Sequence, residues 1–123
     1  MKRVLSVGQC GFDHAAIASL LERTFDVEVS PADTPDEVLR AIEHGGAPDL
    51  ILVNRKFDLD GGDGLELIRR LKGAPAVASV PVMLVSNYPE YQQQAMDLGA
   101  LEGFGKSQLA APATLAKLQP LLG

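Results

Sequence analysis

Tryptophan is absent from this 123-residue chain, cysteine occurs once, and the aromatic side chains are four Phe and two Tyr. A single thiol, Cys10, excludes an internal disulfide and a thiolate metal cluster, and it fits a reducing, cytoplasmic setting. Basic residues are outnumbered, 11 against 16 acidic ones, for a formal charge of −5. Phosphate backbones demand a basic face, so this balance argues against nucleic acid as a direct partner. Long apolar runs are also missing, and nothing approaches the roughly 20 residues that a membrane span needs. Met1-Lys2-Arg3 leads straight into a strand-like segment rather than a signal peptide. What the chain does have is 46% hydrophobic residues, enough for one domain with a core of its own.

Those apolar residues are organised around Pro48-Asp49-Leu50-Ile51-Leu52-Val53-Asn54. Four unbroken apolar residues between turn signals read as a strand buried on both faces, in the middle of a parallel sheet. Asn54 sits where that strand ends, and ligands and chemistry gather at the carboxyl ends of such strands. Val4–Val7 reads as a first strand, followed by the loop Gly8 to Gly11. Asp13 is a candidate cap for the next helix, with Ile17, Leu20, Leu21 and Phe25 on one face. Val27 to Ser30 alternates as an edge strand. Thr34-Pro35-Asp36-Glu37 predicts a helix start with a capping box, and Gly45-Gly46 its end. Beyond Asn54 come a polar loop from Arg55 to Gly62 and a helix with Leu65, Ile68 and Leu71 inward. A strand over Val82–Val85 follows, then a helix from Pro89 to Leu98 and a short strand at Gly103-Phe104. The last helix is expected over Leu109 to Leu122, regular from Pro112 and frayed by Pro120. Alternation at this spacing predicts an α/β domain with helices on both faces of a parallel sheet.

Several stretches resemble the receiver domains of bacterial response regulators. They are the apolar run before Asn54, Asp63-Gly64-Leu65-Glu66-Leu67-Ile68, Pro81-Val82-Met83-Leu84-Val85-Ser86, and Gly99-Ala100 followed by Lys106. The resemblance spans the chain from 1 to 123. It implies a single doubly wound, flavodoxin-like fold with five parallel strands in the order 2-1-3-4-5. Phosphoryl transfer in that family uses an aspartate nucleophile after the third strand and an acidic pair that holds Mg²⁺ after the first. A hydroxyl and a lysine bind the phosphoryl oxygens. Ser86 and Lys106 match the last two, but Asn54 stands at the phosphoacceptor position and Gly8 and Gln9 stand at the acidic pair. Gly103 falls where the family has its switch aromatic, and Ser107 replaces a proline after the lysine. The loop from Asn54 to Asp63 is two residues longer than usual. The pattern is similar to the degenerate members called pseudo-receivers.

Other motifs read more simply. Asp58, Asp60 and Asp63 suggest a calcium loop, but Gly62 and Asp63 reverse the required order and no glutamate closes it, so no metal is expected. Gly8-Gln9-Cys10-Gly11 lacks the third glycine of a dinucleotide fingerprint and reads as a tight turn. His14 and His44 read as surface histidines, and Arg69, Arg70 and Lys72 suit the dipole at a helix end.

The expected function is therefore non-enzymatic and without cofactor: a signalling module that binds a protein partner independently of phosphorylation. Its surface is the fourth helix, fifth strand and fifth helix, with Tyr88, Tyr91, Gln92, Gln94 and Lys106 as contact candidates. A weak homodimer is a further expectation; nucleic acid and membrane are not expected partners. The alternative is a small-anion or ligand sensor in the vacated pocket at Asn54, Ser86 and Lys106. A phospho-accepting receiver using Asp58 or Asp60 ranks last. Lys106 has lost all three family acids, and an uncompensated ammonium is costly. Solvent, a loop acid (Asp58 or Asp60) and a bound anion are the expected answers, in that order.

Overall fold

The computed structural model describes all 123 residues. Five strands, β1 (Lys2–Val7), β2 (Val27–Ala32), β3 (Leu50–Asn54), β4 (Val82–Val85) and β5 (Leu101–Phe104), alternate with five helices. These are α1 (Gly11–Thr24), α2 (Pro35–Gly45), α3 (Gly64–Gly73), α4 (Pro89–Asp97) and α5 (Pro112–Leu122). The strands make one parallel sheet in the order β2-β1-β3-β4-β5. This is the flavodoxin-like arrangement expected from the sequence. No helix is long and apolar enough to cross a membrane.

The unbroken apolar run explains the position of β3. Leu50 to Val53 are fully buried because alternate side chains feed two different cores. Ile51 and Val53 join Leu5, Val7 and Leu84 beneath α2, α3 and α4. Leu50 and Leu52 join Val4, Met83, Val85, Ile17 and Leu118 beneath α1 and α5. Edge strand β2 instead alternates buried Val27 and Val29 with exposed Glu28. It runs on to Ala32, two residues past the expected Ser30, because an edge strand tolerates Pro31.

Local chemistry sets the helix ends, with some departures from expectation. Thr34 caps α2 by accepting from Glu37 N at 3.2 Å, while the Glu37 carboxylate accepts from Asp33 N at 2.7 Å. The cap of α1 is Cys10, whose Sγ accepts from Asp13 N at 3.4 Å; Asp13 is one turn further in, and its carboxylate is left for another partner. Leu20 is only half-buried on α1, and on α3 Leu67 joins Ile68 and Leu71 inside while Leu65 is half-buried. Lys106–Gln108 forms a separate 3₁₀ turn before α5. Pro120 does not fray α5, because buried Leu118 and Leu122 anchor its last turns to the sheet. Lys72 does more than face a dipole. Its Nζ donates to the Ala78 and Val80 carbonyls at 3.1 and 2.7 Å, and desolvation lowers its pKa below the usual lysine value.

Candidate functional site

Asn54 ends β3, Ser86 directly follows β4 and Lys106 lies just past β5, so the parallel sheet brings them to one edge. They line a cavity of about 380 Å³ together with Arg55, Lys56, Val85, Asn87, Tyr88 and Tyr91. Both amide hydrogens of Asn54 are used there. Its Nδ2 donates to the Gly8 carbonyl at 3.0 Å and to the Lys56 carbonyl at 2.8 Å. A primary amide has two hydrogens to give, and a carboxylate at neutral pH has none.

Gly8 is fixed by a side chain that sequence reasoning passed over. Its φ of 75° lies in the left-handed region, and its N–H donates to the Ala32 carbonyl at 2.8 Å. A Cβ at Gly8 would have three ring carbons of Phe57 at 3.0 Å or less. Phe57, 2% exposed, belongs to the lengthened loop and turns inward among the α2/α3 core. The only signal for it was an aromatic residue set among loop acids. Gln9 is buried with both polar side-chain atoms unpartnered, and it supplies no anionic oxygen. His14 differs from the surface reading: it is half-buried, and its Nδ1 is enclosed without a partner.

The loop acids do not answer Lys106. Asp58 is exposed, Asp60 Oδ1 accepts from Gly62 N at 2.9 Å, and Asp63 Oδ1 caps α3 through Leu65 N at 2.9 Å. No group of three or more His, Cys, Asp or Glu side chains converges to hold a metal. Lys106 Nζ instead lies 2.7 Å from Asp13 Oδ2. Lys106 is exposed, as the first expectation had it, and it is also paired with an acid that was not among the expected answers, one turn into α1 and read only as a cap. The Lys106 hydrogen bond is the main cause that lowers the Asp13 pKa, against a smaller opposing effect of burial.

The face around β5 also departs from expectation. The register of β4 and β5 shifts between the pairs Met83–Leu101 and Val85–Phe104. Gln92 fills the gap, donating to the Leu84 and Ser86 carbonyls at 2.9 and 3.1 Å and accepting from Gly103 N at 2.9 Å. It is therefore not the free surface group expected of it. A Cβ at Gly103 would run into the Leu84 backbone. Gln94 and Tyr88 are exposed, whereas Tyr91 is half-buried beneath the Arg55 guanidinium, 4.4 Å from its ring centroid.

The response regulator receiver domain matches residues 13–116 of this chain. The chain belongs to that family. Solved receivers share its fold. The signal receiver domain of a DNA-binding response regulator from Colwellia psychrerythraea 34H superposes with a TM-score of 0.79 at 20% identity, covering 98% of both chains. The BeF₃-activated N-terminal receiver domain of Klebsiella pneumoniae RstA gives 0.77 at 24% identity, covering 97% of both. Vibrio cholerae chemotaxis protein CheY4 gives 0.75 at 22% identity, covering 99% of both. No curated protein matches the chain. This receiver domain has an amide clamped to two carbonyls at the third-strand position, a phenyl ring against the first loop, and a lysine paired with an acid from α1.

Proposed function

We propose that this receiver domain is a signalling module that engages a protein partner without being phosphorylated. The observation that carries the reading is the double hydrogen bond from Asn54 to Gly8 and Lys56, beside a Gly8 that has no room for a side chain. The first leaves no nucleophile at the end of β3, and the second closes the place where one metal-binding acid would stand.

The partner surface we infer is α4, β5 and α5, where a groove of about 470 Å³ is lined by Gln93, Met96, Glu102, Gln108 and Lys117 among others. With Gly103 lacking a side chain to rotate and Gln92 tying α4 to two strands, the face offers one arrangement rather than two. Tyr88 and Gln94 remain as exposed contacts, and a weak homodimer is an occupant of the same kind. A cytoplasmic bacterial two-component pathway is the setting this reading fits.

Incubation with acetyl phosphate and Mg²⁺, followed by intact-mass spectrometry, tests the reading. No mass increment is expected, and capture of a partner from the source cells should be the same with and without the phosphodonor. Stoichiometric addition of one phosphoryl group, on Asp58, Asp60 or any other acid, would end it.

A further inference from the structure

The cavity over Asn54 carries an unusual charge for a chain with net −5. Its lining includes Arg55, Lys56 and Lys106, two tyrosines, Ser86 and Asn87, and no carboxylate. Lys106 is answered by Asp13, but the other two cations are not answered as well. Arg55 Nη1 stands 3.8 Å from Asp63, its Nη2 reaches the Tyr91 hydroxyl only at 3.4 Å, and its Nε is enclosed with no partner. Lys56 has no carboxylate within salt-bridge distance, and its stem lies along Gly61. Glu90, in the first turn of α4, is exposed and does not line the cavity. Beside these cations Tyr88 and Tyr91 meet edge to face, ring centroids 5.9 Å apart, and Tyr88 is 59% exposed.

We propose that this cavity binds a small organic anion, a carboxylate or phosphate monoester carried on a planar ring. Arg55 and Lys56 take the anionic group, because a guanidinium with idle donors and an unpaired ammonium match such oxygens. The Tyr88 ring takes the planar part by offset or edge-to-face packing. The volume of about 380 Å³ is far more than a bare inorganic ion fills and lies within the range of small-molecule sites. Lys106 is not required, since its ammonium is already paired. The proposal goes beyond the partner-binding role and does not rest on it: either can fail while the other stands.

The chain provides its own probe. It has no tryptophan, and its only two tyrosines both line this cavity, so intrinsic emission reports on this site alone. Phenyl phosphate, benzoate and inorganic phosphate would each be titrated at constant ionic strength, with free tyrosine as the control for collisional quenching. A saturable change is expected with phenyl phosphate or benzoate, and the arm that saturates first names the anionic group. Affinity for that ligand should exceed that for inorganic phosphate by about tenfold, and Arg55→Gln should weaken it by about tenfold. Tyr88→Leu, which leaves Tyr91 as reporter, should erase the advantage over inorganic phosphate. Far-ultraviolet circular dichroism checks that each variant is folded. A linear response like that of free tyrosine would overturn the proposal. So would equal binding of inorganic phosphate, or an Arg55→Gln variant that is folded and binds unchanged.

Discussion

Replacing Asn54 with aspartate restores the family's nucleophile, yet this site is built against it. In the parent chain both amide hydrogens go to backbone carbonyls, at 3.0 and 2.8 Å. The carboxylate of Asn54→Asp would face the same two oxygens with no hydrogen to offer. Losing two hydrogen bonds costs about 1 kcal/mol each, and repulsion from the two carbonyls adds about 1–2 kcal/mol. Because Asn54 is half-buried rather than buried, some of that repulsion can relax, and the expected loss is about 2–4 kcal/mol. For a domain of this size that is on the order of 10 °C in Tm.

Urea denaturation near pH 7.5 measures the gap to the parent chain. The variant should also remain unphosphorylated by acetyl phosphate with Mg²⁺, because Gly8 and Gln9 still supply no acid. A variant as stable as its parent near pH 7.5 would refute the reasoning.

Gly8→Ala meets both a left-handed φ and the Phe57 ring, and should cost about 2–4 kcal/mol in urea denaturation. In a Phe57→Ala background the ring clash is gone, so the same change should cost only about 1 kcal/mol; additivity of the two substitutions would contradict the contact. Asp13→Asn breaks the pair with Lys106, and with Lys106 36% exposed the loss near neutral pH should be no more than about 1 kcal/mol. Since the Asp13 pKa is lowered below 3.8, that contribution is full above this value and is lost as pH falls through the lowered folded pKa, so parent and variant should converge in acid. Gln92→Leu removes three hydrogen bonds between α4 and strands β4 and β5, and should cost about 2–3 kcal/mol. Amide exchange should quicken at Gly103 in that variant, and unchanged protection there would argue against the bridge.

The sheet was legible because its signals are local: four-residue apolar runs, caps and glycines at known offsets. Even Asn54, Ser86 and Lys106 could be placed together, since each lies at or just past the carboxyl end of a strand. What escaped was long-range choice of partner. Asp13 reads as a cap from its neighbours alone, yet Cys10 takes that role and the carboxylate reaches a lysine 93 positions away in the chain. Phe57 sits in a stretch of polar loop whose composition points to solvent, and only tertiary space beside Gly8 explains its burial. Gln92 lies on a helix face that reads as surface, but it answers a register shift that no periodicity encodes.

The ring of Phe57 against Gly8 also orders the routes by which this sequence could change. An acid at position 8, introduced first, enters a space already filled and a backbone conformation that disfavours any side chain. Removing Phe57 first opens a hole in the α2/α3 core, at a cost of about 3–5 kcal/mol before any gain can appear. Both first steps run downhill in stability, and a marginally stable domain has little to give. Single substitutions therefore do not lead to metal-dependent chemistry; that needs coordinated changes at Gly8 and Phe57 and a third at Asn54. Phe57 acts as a latch that holds the site in its present form against stepwise change.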